Sequence, residues 1–170
     1  MNSDGPSFPA LGFRRDVGRE PVPGRELVTW FLDLEDFSTC TTWSLSRGER
    51  LGMVLVDHDC RCWRVVAVKD LGVTRSLWER VFRFLMRQSL HRIDQELITQ
   101  APLTLAQVKD RVCASIQANP DDWRDDEAIA GEAGPPRDEQ EMLDERQAAV
   151  RRAQSLPQVI NALYGEELQD

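Results

Sequence analysis

A chain of 170 residues has room for one domain with a full core, or for one domain and a tail, and 41% hydrophobic with 29% charged residues excludes a wholly disordered chain. No apolar run reaches the ~18 residues of a membrane span, and MNSDGPSFPALGFRRDVG has no basic-then-apolar leader, so the expected location is cytoplasmic and the four cysteines read as free thiols. The net charge of −8 has one source: residues 1–120 carry 16 Lys/Arg against 15 Asp/Glu, residues 121–145 carry 2 against 11, and residues 146–170 carry 3 against 3.

Residues 1–24 hold Pro6, Pro9, Pro21 and Pro23 among four glycines, which predicts an irregular N-terminal arm whose patch Phe8, Leu11, Phe13 docks on the core. A core domain is expected over residues 25–120. Leu27 to Leu32 is β-branched and aromatic, as strands are. From Phe37 to Leu45 the residues Phe37, Thr39, Thr41, Trp43 and Leu45 alternate with small polar ones, which predicts a half-buried strand. After a turn at 46–49, strands are expected at 52–56 and 61–69. With Asp57 to Cys60 as the connection, Val56 faces Arg61 and Val54 faces Trp63. Both faces of 61–69 carry apolar residues, so both sides of the sheet are expected to be covered.

Beyond Gly72 the period changes to 3.6: Leu77, Trp78, Val81, Phe82 and Leu85 form one stripe of a helix over 75–88, with Arg80, Arg83 and Arg87 opposite. Residues 90–99 alternate as an edge strand. Thr104 and Gln107 have capping-box spacing at the head of a helix that ends near Asn119-Pro120. An acidic linker is expected over 121–137. In the C-terminal segment, 138–170, acids open a helix over 138–153 that Arg151 and Arg152 close. A short helix follows at 156–164. The expected fold class is α+β: an antiparallel β-meander of about four to five strands packed with amphipathic helices, and C-terminal helices after the acidic linker.

The stretch VDHDCRCW, residues 56–63, invites a metal reading, since His58, Cys60, Cys62 and Cys40 are the residue types zinc takes. C-x-C is not knuckle spacing, and Asp at a hairpin tip has a simpler use in bonding its own backbone. No metal or cofactor is therefore assigned, and a metal- or thiol-dependent protein centred on the 57–62 hairpin stays as the alternative reading, beside a regulatory protein-binding adaptor. The chain has only two histidines and no nucleophile elbow, P-loop or dinucleotide fingerprint, so no enzyme activity is assigned either. Three arginines on a near-neutral body fall short of a nucleic-acid footprint.

Trp123 stands apart, in Asp121-Asp122-Trp123-Arg124-Asp125-Asp126-Glu127. An aromatic ringed by acids fits a steered interface with Trp123 as its anchor. The alternative is that Trp123 folds back over the preceding helix. A concentrated negative field favours a basic partner and disfavours nucleic acid.

LGMVLVDHDCRCWRVVAV (51–68) resembles the V-D-x-D-G-x-x-W-x-V hairpins of small bacterial proteins, with Cys60 in the place of glycine. PLTLAQVKDRVCASIQANPDDW (102–123) is similar to the helix-then-NPDDW segment of polymorphic-toxin immunity proteins. The resemblance implies a small cytoplasmic protein without catalytic residues that binds a cognate toxin and blocks it. With the charge split, it implies a basic toxin, as a nuclease is, met by Asp121, Asp122, Asp125, Asp126 and Glu127 around Trp123, with no membrane partner.

Overall fold

The computed structural model describes residues 5–15, 26–74, 84, 87–123 and 138–164. Their strands are β1 (Ala10–Arg15), β2 (Glu26–Phe31), β3 (Thr39–Thr41), β4 (Val54–Val56), β5 (Cys62–Val73) and β6 (Leu90–Gln100). The helices are α1 (Leu34–Phe37), α2 (Thr42–Ser46), α3 (Leu105–Ala118), α4 (Glu139–Arg152) and α5 (Leu156–Tyr164), with a 3₁₀ turn at Pro120–Trp123. The strands form one antiparallel sheet in the order β2-β1-β4-β5-β6-β3. The class is α+β as expected. No helix among the described residues is long and apolar enough to cross a membrane.

Alternation sorts the side chains onto two cores. Leu11, Phe13, Val56 and Cys62 face the helices and meet Val112 and Ile116 of α3, Val150 of α4 and Ile160 and Leu163 of α5. The C-terminal helices are therefore part of this core. On the other side Ala10, Phe31, Phe37, Met53, Leu55, Trp63 and Val65 form a second cluster. Gly12 permits that packing: a Cβ there would lie 2.8 Å from Met53 Sδ and 2.9 Å from Phe31 and Thr29 atoms.

Four expectations need correction. Within the N-terminal arm, Ala10–Arg15 is not irregular but a central strand, paired with both β2 and β4. The strand expected at 37–45 is broken into α1, β3 and α2, because its hydroxyls and a nearby carboxylate cap helices. Asp33 Oδ1 accepts from Asp36 N–H at 2.9 Å and Thr41 Oγ1 from Ser44 N–H at 3.1 Å. β6 is not an edge along its whole length, since β3 covers Leu90–Arg92. The β4–β5 register is one residue away from the expected one: Val56 faces Cys62, Leu55 faces Trp63 and Val54 faces Arg64. The helix expected over 75–88, with Arg80 and Arg83, falls almost entirely outside the described residues.

Asp57 causes the register difference. Asp57 N–H donates to Arg61 O and Cys60 N–H to Asp57 O, which makes His58-Asp59-Cys60 a three-residue loop. Such a loop ends on a left-handed residue, and Cys60 has φ +60°. The fully buried Asp57 carboxylate then accepts five hydrogen bonds. Oδ1 takes Asp59 N–H (3.0 Å) and Arg61 N–H (2.9 Å). Oδ2 takes Arg61 Nε (2.8 Å), Ser7 N–H (3.2 Å) and Trp63 Nε1 (3.4 Å). A buried charge is tolerable only when paired and bonded in this way.

Asp57→Ala is expected to lower unfolding stability by about 3–5 kcal/mol, because it orphans several buried donors. Cys60→Gly is expected to raise it by up to about 1 kcal/mol, by removing the left-handed penalty. Urea unfolding of the two variants checks both signs.

Candidate functional site

The acidic stretch begins where α3 ends. α3 starts with the expected capping box, Thr104 Oγ1 accepting from Gln107 N–H at 3.2 Å and Gln107 Oε1 accepting from Thr104 N–H at 2.8 Å. Its last turns are fastened to β2: Ser115 Oγ donates to Glu26 O at 2.6 Å and Asn119 Nδ2 to the same oxygen at 3.3 Å. Arg111 grips the Glu26 carboxylate through two nitrogens. The 3₁₀ turn then carries Asp121 and Asp122 outward and Trp123 inward.

Trp123 is only 5% exposed. Its ring lies 5.6 Å from that of Tyr164, which stacks on Trp30 at 3.6 Å. Arg146 of α4 sits 5.7 Å over the indole and donates to Trp123 O at 2.8 Å. Tyr164 Oη donates to Val28 O at 3.1 Å, and burial pushes the Tyr164 phenol above its ordinary range. Trp123 is thus not an exposed anchor for a partner. It pins the turn against α4 and against Tyr164, which in turn rests on β2, and that leaves Asp121 and Asp122 on the surface. Asp125, Asp126 and Glu127 lie outside the described residues.

No protein-family model, curated protein or solved structure matches this chain.

α4 adds further acids beyond 121–127, in the first turns where the sequence places them. Asp138 caps it, accepting from Glu141 N–H at 3.0 Å, and Glu141, Asp144 and Glu145 are exposed at helical spacings that share a face. The order of charges over 138–153, acids first and Arg151 and Arg152 last, was the available signal. It placed the acids in the first turns, where the helix dipole favours them.

The four candidate metal ligands do not converge. Cys62 pairs with Gln100 at one end of β6 and Cys40 with His91 at the other. Nine residues of extended strand set the two roughly 30 Å apart. Among the described residues no three His, Cys, Asp or Glu side chains form a group able to hold a metal. Burial raises the thiol pKa of Cys40, Cys60 and Cys62 in each case. Such thiols stay neutral near pH 7 and are weak nucleophiles.

A second arrangement lies at the far end of β6. His91 Nδ1 is 3.0 and 3.1 Å from the two Asp70 carboxylate oxygens, and His91 Nε2 is 3.2 Å from Thr42 Oγ1. Acid, imidazole and hydroxyl follow one another as in an acyl-transfer triad. Here, however, the hydroxyl is engaged by the backbone: it donates to Ser89 O at 3.2 Å and accepts Ser89 N–H at 3.3 Å. The group closes the β3–β6 ladder and ties it to β5. Nothing in the sequence marks these three distant residues as neighbours.

Asp70 is held below its ordinary carboxyl value of 3.8, first by the Gly72 N–H and then by His91. A lowered folded-state value means that the contribution is complete above the ordinary value and is lost as pH falls through the lower one. Asp70→Asn is therefore expected to lower the urea midpoint at pH 7. The gap to wild type should close as pH drops below about 4, and a series of unfolding curves across that window measures it.

Proposed function

We propose that this is an immunity-type protein of the bacterial cytoplasm that binds a cognate toxin domain and neutralises it by occlusion. Its docking surface is acidic and is built from Asp121 and Asp122, with Asp125, Asp126 and Glu127 following them in the chain. The partner it fits is a basic protein, as a nuclease domain is.

One observation carries this reading. The two carboxylates at the head of the charged stretch stand on a turn whose buried tryptophan packs against Tyr164 of α5 and under Arg146 of α4. Side chains held on a rigid support lose little freedom on binding, and a concentrated field speeds encounter with an opposite charge. The resemblance of 102–123 to immunity proteins supports the same surface. The metal alternative loses support from the separation of Cys40 from Cys62, and the thiol alternative from the burial that raises the thiol pKa values.

The test is co-expression with the toxin-like product of a neighbouring reading frame, followed by binding kinetics. Rescue of growth and co-purification are expected. Asp121→Lys with Asp122→Lys should cut the association rate constant about tenfold at low salt, with a smaller effect at high salt. Trp123→Ala should instead lower thermal stability by an amount typical of a large core truncation, about 3–5 kcal/mol. An association rate that the double charge reversal leaves unchanged at low salt removes the acidic turn from the interface.

A further inference from the structure

The two margins of the sheet differ in how their backbone groups are used. On β2, Glu26 and Val28 direct their carbonyls away from β1, and Ser115, Asn119 and Tyr164 donate to them. On the other side β3 pairs only with Leu90, His91 and Arg92, and Ser38 O takes the next outward amide, that of Ile93. Strand parity then turns the backbones of Gln95, Leu97 and Thr99 outward. Among the described residues no strand pairs with these three, and Thr99 O takes only a local bond from Gln100 Nε2 at 3.4 Å. Unpaired strand edges are templates for another strand.

We infer that this edge joins a second copy of the chain, in an antiparallel β6–β6 pair about a two-fold axis at Leu97. Two features of β6 select that occupant and that register. With the axis at Leu97, Leu97 faces its own copy, and Gln95 and Thr99 face each other, so all three outward residues exchange hydrogen bonds. Asp94 then faces Gln100 and Glu96 faces Ile98, with no acid opposite an acid. Placing the axis at Gln95 or Glu96 sets acid against acid, which destabilises a ladder. Placing it at Ile98 leaves Gln95 opposite Ala101, past the end of the strand.

The Leu97 register also makes a complementary row across the sheet. Arg64 is the cross-strand neighbour of Ile98, and the second copy's Glu96 lies on the far side of Ile98. Arg64 and Glu96 are exposed, and Ile98 is 44% exposed. Cation and anion thus flank an uncovered isoleucine from strands about 9.6 Å apart, within reach of two long side chains. One short strand pair buries less than the ~1,200 Å² of a standard stable interface, so the dimer is concentration-dependent rather than obligate. In the dimer the sheet continues through both copies. The acidic turns, which lie beside β2, stay at its two outer margins.

Light scattering and sedimentation across a concentration series of the full chain test this inference. The expected mass rises from 19.4 kDa toward twice that value with concentration. Thr99→Pro removes an outward N–H without touching the β5 ladder and should keep the protein monomeric with unchanged circular dichroism. Glu96→Arg should weaken association at least tenfold by setting it against Arg64, and the swap Arg64→Glu with Glu96→Arg in one chain should restore it. A wild type that stays monomeric overturns the inference. So does a dimer that survives both Thr99→Pro and Glu96→Arg. Binding of a basic partner through Asp121 and Asp122 is measured separately on Thr99→Pro, so neither result decides the other.

Discussion

A fully buried carboxylate surrounded by five donors is the constraint on which the rest of this fold depends. The donors of Asp57 come from the N-terminal segment, from the hairpin loop and from the indole of β5. One side chain therefore fixes where β1 begins, how long the loop is and which face Trp63 occupies. Register follows from it. A slip of one residue turns Val56 and Cys62 away from the helices and exchanges the two cores. The same loop also reaches α3, because Cys60 O accepts the Leu103 N–H at 3.3 Å just ahead of the capping box. The helix that starts there ends on the turn bearing Asp121 and Asp122, so the acidic surface is oriented, at a distance, by the hairpin.

What could be read from the sequence was whatever local chemistry decides. The capping box at Thr104 and Gln107 and the acid-first, arginine-last order of α4 declared themselves, because a helix makes its own backbone bonds and its two ends have their own capping and charge preferences. Strands depend on partners that sequence spacing does not name. β1 lies in a proline- and glycine-rich stretch and becomes a strand because β2 and β4 flank it. Residues 37–45 alternate as a strand should, but their hydroxyls serve as caps and divide them. The hairpin was legible and its register was not, since the choice rests on a buried side chain that looks like an ordinary turn aspartate.

The candidate site divides in the same way. That acids gather after α3 is plain in the charge count. That Trp123 is buried follows from Tyr164, Trp30 and Arg146, none of which is near it in sequence. The burial changes the role of the residue: the tryptophan supplies rigidity and the carboxylates supply the field. In the proposed reading the two roles have separate signatures, one on stability and the other on encounter with the partner.

The most direct measurement of the central claim is hydrogen exchange of the protein alone and in complex with the toxin-like partner. A docking surface at the acidic turn should slow exchange over about residues 119–127 and leave the amides of the 57–62 hairpin as they were. Slowing confined to the hairpin, with the acidic turn unchanged, would contradict it.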